Sequence, residues 1–178
     1  MRVIGGEFRS RRLKTLPGMQ LRPTPDRLRE TLFDVLAPRI EGAVFADLYA
    51  GSGAVGIEAL SRGAARAIFV EKHRAAVDVI RQNLRSLRIE DRAQVICGKA
   101  AVPLGRLDAG IVFLDPPYDR EDEYDLVLRA LGEAPPPLVI AQHTARLRLK
   151  EEYSQLHRAR LLKQGDNVLS FYSPTAKQ

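Results

Sequence analysis

The chain reads as an α/β protein: a mostly parallel, seven-stranded sheet with helices on both faces, ending in an antiparallel hairpin and preceded by a small hairpin–helix extension. Three observations predict this. From about residue 43 short apolar runs alternate with stretches of helical periodicity, and a β-α-β-α order implies parallel strands covered on both faces. Near the C-terminus two strand-like runs flank the turn-rich Lys163-Gln164-Gly165-Asp166-Asn167, so at least one strand there must run antiparallel. The first 40 residues follow neither pattern and are unusually rich in arginine.

In chain order, residues 1–16 suggest a strand, a Gly5-Gly6 turn and a second strand from Leu13 to Leu16. Thr24 and Pro25 suit the N-cap and first position of a helix whose apolar positions Leu28, Leu32, Phe33, Val35 and Leu36 recur at helical spacing until Pro38 ends it. Strands are expected over 44–49, 67–70, 93–97, 111–114, 138–141, 156–162 and 168–172. The helices between them fall at 54–62, 75–87, near 102–106 and at 124–131. Val79, Ile80, Leu84 and Leu87 mark the inward face of the second of these.

With 178 residues, 45% of them hydrophobic and 28% charged, the chain suits one domain, 1–178, with residues 1–40 as an extension and 41–178 as the core. No apolar run approaches a membrane span and no secretory segment follows Met1; a single cysteine, which allows no internal disulfide, points to the cytoplasm. The lone cysteine, Cys97, ends an apolar strand pattern and is expected to be a buried spectator. Three scattered histidines give no metal site. Residues 1–30 carry eight basic side chains against three acidic ones, within a net charge of +6. Arginine predominates there, and its planar fork pairs with phosphate, so a polyanion is the natural partner.

Asp47-Leu48-Tyr49-Ala50-Gly51-Ser52-Gly53-Ala54-Val55-Gly56 joins the first sheet strand to its helix, with glycines in G-x-G-x-x-G spacing. Small residues let backbone amides approach a ligand near a helix N-terminus. Glu71 ends the second strand, placed to accept hydrogen bonds from ribose hydroxyls. Together they mark a nucleoside-containing cofactor, either a dinucleotide or S-adenosylmethionine. Asp47 favours the second, because a carboxylate there meets an ammonium and repels a pyrophosphate.

The second feature in that direction is Asp115-Pro116-Pro117-Tyr118, directly after Ile111-Val112-Phe113-Leu114. Ligands of open parallel sheets bind at the carboxyl ends of strands, and two prolines hold the chain extended there. A carboxylate and an aromatic ring then flank one spot, which suits a planar base bearing an exocyclic amine.

Asp47-Leu-Tyr-Ala-Gly-Ser-Gly paired with Asp115-Pro-Pro-Tyr resembles the Rossmann-like class I S-adenosylmethionine-dependent amino-methyltransferases. Met1-Arg-Val-Ile-Gly-Gly-Glu-Phe, Leu21-Arg-Pro-Thr-Pro-Asp-Arg-Leu-Arg-Glu-Thr-Leu-Phe33, Glu58-Ala-Leu-Ser-Arg-Gly-Ala64 and Gly165-Asp-Asn-Val-Leu-Ser-Phe-Tyr172 narrow the likeness to the bacterial 16S ribosomal RNA guanine-N2 methyltransferases that modify guanine 966. The resemblance implies methylation of a guanine amine in 16S ribosomal RNA or the small-subunit particle by a monomer. S-adenosylmethionine is then the donor, S-adenosylhomocysteine the product, and no metal is needed.

By that resemblance Asp115, Pro116, Pro117 and Tyr118 are the catalytic residues. Asp47, Tyr49, Ala50, Gly51, Ser52, Gly53, Glu71 and Lys72 hold the cofactor, with Arg22 and Thr24 close to it and to the target base. Arg9, Arg11, Arg12, Arg27 and Arg29 are expected to contact RNA phosphates. Two positions depart from the family's pattern. Gly98-Lys99-Ala100 stands where related enzymes often carry an Asp or Asn that bonds the adenine amine, and a charged Lys99 accepts no hydrogen bond. Gln142 keeps an acceptor where members can carry Glu. Tyr124 and His143 read as packing residues. The competing readings are a DNA adenine-N6 methyltransferase, a nicotinamide-dependent oxidoreductase using the same glycine spacing, and a non-catalytic RNA-binding protein.

Overall fold

The computed structural model describes residues 1–17, 25–102, 104–117 and 120–175, and in it the alternation of strands and helices falls into two compact units, Met1–Lys99 and Ala100–Gln178. In the first, α1 (Asp26–Ile40) precedes β1 (Val44–Asp47), α2 (Ala54–Ser61), β2 (Arg66–Glu71), α3 (Arg74–Leu87), a single 3₁₀ turn and β3 (Ala93–Cys97). β1 pairs with β2 and β2 with β3, both parallel, with Asp47 opposite Phe69 and Glu71 opposite Cys97. Parallel strands buried on both faces need apolar residues throughout, and Phe45, Ala46, Ala67, Ile68, Phe69 and Val70 supply them. α3 turns Ala76, Val77, Val79, Ile80, Leu84 and Leu87 inward.

In the second unit a 3₁₀ turn (Leu104–Arg106) and β4 (Ile111–Leu114) lead to α4 (Glu121–Glu133), β5 (Leu138–Thr144), β6 (Glu152–Tyr153), β7 (Leu156–Gln164) and β8 (Asn167–Pro174). β4 and β5 are parallel; β8 is antiparallel to β5 and to β7, and β6 to β7. Gly165, with φ of 60°, occupies the first central position of the two-residue loop between Gln164 and Asn167 that closes the β7–β8 hairpin. That is the place a type II′ turn reserves for glycine. Among the described residues eight strands stand where seven were expected, the addition being the two-residue β6. No helix among the described residues is long and apolar enough to cross a membrane.

Several expectations are corrected. The first 16 residues form a bridged loop, not a two-stranded hairpin: one ladder bridge joins Arg2 to Arg12, and residues 5–10 turn. The cause lies in the amides. Val3 N–H donates to the Arg11 carbonyl and Leu13 N–H to that of Met1, and beyond them Ile4 and Gly5 N–H both donate to the Glu58 carboxylate at 2.8 Å, Glu7 N–H to the Ser61 carbonyl and Phe8 N–H to Ser61 Oγ, so bonds to α2 stand where a longer ladder was expected. Val3, Phe8 and Leu13 anchor the loop in the core of this unit. Helix α1 has Pro25, not Thr24, at its N-cap, and it continues through Pro38 to the buried Ile40. A proline in the last turn removes one hydrogen bond, and the burial of Ile40 outweighs that loss. Cys97 is exposed rather than buried, because β3 has a strand partner on one side only within its unit.

Candidate active site

β1 ends in Asp47, whose carboxylate is 1% exposed and accepts the Gly56 N–H at 3.1 Å. Burial pushes its pKa up to about 7, against the opposing pull of the Gly56 amide; the nearby Glu71 charge adds to the rise. Such a carboxylate is short of a positive partner. Between it and α2 the chain makes its glycine turn: Gly51 and Gly53 have φ of 55° and 82°, left-handed values that side chains resist, and Gly53 is the N-cap of α2. Gly56 serves packing instead. A β-carbon there would lie 2.8 Å from Cζ of Phe69 and closer still to Cε1.

Glu71, at the end of β2, faces the same turn. One of its oxygens accepts the Gly51 N–H at 2.9 Å and the other the His73 N–H at 2.8 Å, so it shapes the loop as well as offering lone pairs outward. Ala50 N–H donates to the Val70 carbonyl at 3.1 Å, holding the loop against β2. Tyr49 is half-buried, Ala50, Ser52 and Gly53 are buried, and Lys72 is exposed just past β2. The structure thus gathers Asp47, Tyr49, Ala50, Gly51, Ser52, Gly53, Glu71 and Lys72 at the carboxyl ends of β1 and β2. A buried anion short of a cation, a turn of small residues at a helix N-terminus and a second carboxylate fit a nucleoside cofactor that carries an ammonium group.

In the second unit Asp115 follows β4 directly and is half-buried; Pro116 is buried, and Pro117 is exposed with its carbonyl accepting the Arg120 N–H at 2.9 Å. Tyr118, Arg22 and Thr24 lie outside the described residues. The β4–β5 ladder ends with Leu114 beside Ala141, and Asp115 and Gln142 are the next residues of the two chains. Tyr124 packs, as the sequence suggests: it is 2% exposed and its hydroxyl donates to the Gln142 carbonyl at 2.6 Å. His143 is equally structural. Its Nδ1–H donates to the Thr144 carbonyl at 2.9 Å, which leaves Nε2 to accept from Ser170 Oγ at 2.8 Å, and burial lowers its pKa.

Arg9, Arg11, Arg12 and Arg27 are exposed, Arg11 donating to the Ser86 carbonyl. Arg29 is not. It is fully buried, with Nη2 donating to the Arg2 carbonyl at 2.6 Å and to Asp26 at 3.1 Å and Nε 3.8 Å from Glu58, so it locks the opening loop to α1 and α2 and has no surface to offer a phosphate. Burial lowers its pKa and Glu58 opposes the fall.

Two supporting residues escape sequence reasoning. Glu58 is a buried acid on the otherwise apolar α2, and it binds Ile4, Gly5, Arg29 and Arg62. Asn83 is 1% exposed on the inward face of α3; its Nδ2 donates to the Ser52 and Lys14 carbonyls and its Oδ1 accepts the Lys14 N–H, tying the opening loop to the glycine turn. The signal for both is a lone polar residue on an apolar helical face, which has to find internal partners.

Comparison with known proteins bears on the family and the fold. The family model described as conserved hypothetical protein 95 matches residues 1–173. YlbH of Bacillus subtilis, provisionally named an rRNA methyltransferase, is 35% identical over 165 residues, which cover 88% of this chain and 89% of that one. The ribosomal RNA small subunit methyltransferase D of Escherichia coli is 45% identical over 122 residues, covering 67% of this chain and 61% of its own length. Among solved structures, yhhF of Escherichia coli, provisionally described as a methyltransferase, superimposes with a TM-score of 0.87 at 32% identity over 99% of both chains. The fold is therefore that of the class I methyltransferases, and the chain belongs to the conserved hypothetical protein 95 family, that of the 16S ribosomal RNA guanine-N2 methyltransferases.

Proposed function

We propose that this protein transfers a methyl group from S-adenosylmethionine to the exocyclic N2 of one guanine in 16S ribosomal RNA of the small subunit, guanine 966 in the family's usage. The observation that carries the reading is the buried Asp47 carboxylate beside the Gly51–Gly53 turn: it calls for an ammonium and opposes the pyrophosphate of a dinucleotide. The name of the Escherichia coli relative supplies the substrate, and the cytoplasm, where ribosomal RNA is, follows as the place of action. The same proposal takes residues 1–178 as one methyltransferase domain, with 1–40 as its RNA-facing part and a monomer as the working form.

Bound here, S-adenosylmethionine supplies an electrophilic methyl on a sulfonium. Asp47 would accept its ammonium and Glu71 its ribose hydroxyls, with Tyr49, Ala50, Gly51, Ser52, Gly53 and Lys72 lining the approach; the family resemblance adds Arg22 and Thr24. Guanine N2 is a weak nucleophile because its lone pair is conjugated with the ring. By the family resemblance Asp115 and the Pro116 carbonyl would accept the amine's hydrogens and orient the nitrogen, Pro117 would keep the corner extended, and Tyr118 would stack on the base. Positioning of this kind lowers a barrier by about 7 kcal/mol or more. Asp115 need not be a strong base, since the amine becomes acidic as the N–C bond forms; its contribution is electrostatic.

Mapping of small-subunit RNA by mass spectrometry from cells lacking the protein is expected to show the loss of one N2-methylguanosine. RNA with every such nucleotide intact would refute the reading. In vitro, Asp115→Ala is expected to abolish turnover while S-adenosylmethionine affinity stays within a few-fold, because Asp115 acts on the amine and not on the donor.

A further inference from the structure

Gln142 is 2% exposed, and among the described residues its Oε1 has no hydrogen-bond partner. A buried amide oxygen left unmatched costs about 1–3 kcal/mol, a cost that a ligand donor would relieve. Its surroundings are rigid: β5 is held on one side by β4 and on the other by β8, where Gln142 sits opposite Leu169, and Tyr124 fixes the Gln142 carbonyl. The ladder sets Phe113 beside Ile140 and ends with Leu114 beside Ala141, so Asp115 and Gln142 are the next residues of their chains; since successive residues of an extended chain alternate between faces, continuing that alternation by one residue would turn both toward the face that Phe113 and Ile140 share.

We propose that Gln142 reads the target base, its Oε1 accepting the N1–H of guanine beside the N2 amine held by Asp115; the inference rests on the function proposed above. The chemistry of the base edge carries it. Guanine presents adjacent donors, N1–H and the N2 amine. Three acceptors match them, Asp115 and the Pro116 carbonyl on the amine and Gln142 on N1–H. Adenine and cytosine place a lone pair next to their exocyclic amine, at N1 and N3 respectively, and that lone pair would face the Gln142 oxygen. One residue thus separates guanine from the other two bases that carry an amine, at a position where Asp115 alone would accept any of them. Gln142 acts on binding and orientation of the base and is a specificity residue.

The test uses a synthetic RNA carrying the guanine that the wild-type protein methylates, and the same RNA with 2-aminopurine in its place. 2-Aminopurine keeps the N2 amine but has an acceptor at N1. The wild type is expected to prefer guanine in kcat/KM by about 10- to 100-fold, the range set by one unmatched buried donor or acceptor. Gln142→Met, similar in shape but without the oxygen, is expected to lose about 10-fold or more on guanine and little on 2-aminopurine, with S-adenosylmethionine affinity unchanged and thermal stability unchanged or raised, since the unmatched oxygen is gone. Gln142→Glu, which keeps an acceptor oxygen in either protonation state, is expected to retain the preference. Equal losses of Gln142→Met on both RNAs, or no loss on either, would overturn the inference while leaving the methyltransferase reading intact. A wild type that transfers no methyl to guanine N2 would overturn that reading first and this one with it.

Discussion

Asp47 gives the site a dependence on pH whose direction follows from its surroundings. In the folded protein it releases its proton near pH 7, whereas an unconstrained aspartate does so near 3.8. Between those values the folded chain holds a proton that the unfolded chain has lost, so Asp47 makes the unliganded protein less stable as pH rises from about 4 to about 7, and contributes no further change above that. Asp47→Asn, which keeps an acceptor for the Gly56 amide, is expected to flatten this part of the stability profile in denaturant titrations. Donor binding runs the other way. An ammonium on the cofactor favours the ionised carboxylate, so S-adenosylmethionine affinity is expected to rise with pH toward about 7, by up to ~tenfold per unit, and then to level off. Calorimetric titrations from about pH 5.5 to about 8 read this directly; a flat affinity profile would exclude the pairing of Asp47 with the ammonium.

At the scale of elements, the junction of α2 with β2 is what brings Asp47 and the glycine turn into register. Gly56 lets α2 press onto Phe69, and the same residue donates its amide to Asp47. Gly56→Ala improves helix propensity by about 1 kcal/mol, yet it forces the Phe69 ring or the helix to move, and overpacking of this kind costs about 1–3 kcal/mol. A lower denaturation midpoint and weaker donor binding are expected together, because a displaced α2 stretches the Gly56–Asp47 bond. Gly98→Ala is the control for stability: a β-carbon there meets nothing within 4 Å, and the midpoint is expected to stay put. What the sequence makes legible follows the same division between local and distant causes. β3 and β4 have the bounds expected from their apolar runs, since both are defined by local pattern. β5 extends three residues beyond its apolar run because Gln142, His143 and Thr144 pair with Leu169, Val168 and Asn167 across the sheet, a non-local partnership. β1 stops two residues early, where Leu48 and Tyr49 enter the turn whose Ala50 amide bonds to Val70. The opening loop fails as a hairpin for the same kind of reason, since Glu58 and Ser61, more than 50 positions away, take its amides.

For the molecule as a whole the unused feature is charge. The net +6 and the eight basic side chains of residues 1–30 suggest a phosphate-binding face, but burial divides that set. Arg29 is spent inside, Arg2 lies 3.7 Å from Asp26, Arg11 is engaged with the Ser86 carbonyl and Lys14 with Gln82, and Arg22 lies outside the described residues. Arg9, Arg12 and Arg27 remain as exposed side chains on the opening loop and α1. If these three contact RNA phosphates, each releases bound counterions, and the logarithm of affinity falls with the logarithm of salt concentration by about 0.7 per phosphate for single strands. Replacing all three with alanine is therefore expected to reduce that slope by about 2, weakening RNA binding most at low salt. S-adenosylmethionine binding should be unaffected, as none of the three lies among the residues gathered around the glycine turn. Filter-binding titrations over a range of salt concentrations measure the slope. An unchanged slope would move the phosphate contacts off these three arginines, while a changed slope with unchanged base discrimination would separate the charges that attract RNA from the groups at the ends of β4 and β5 that select the base.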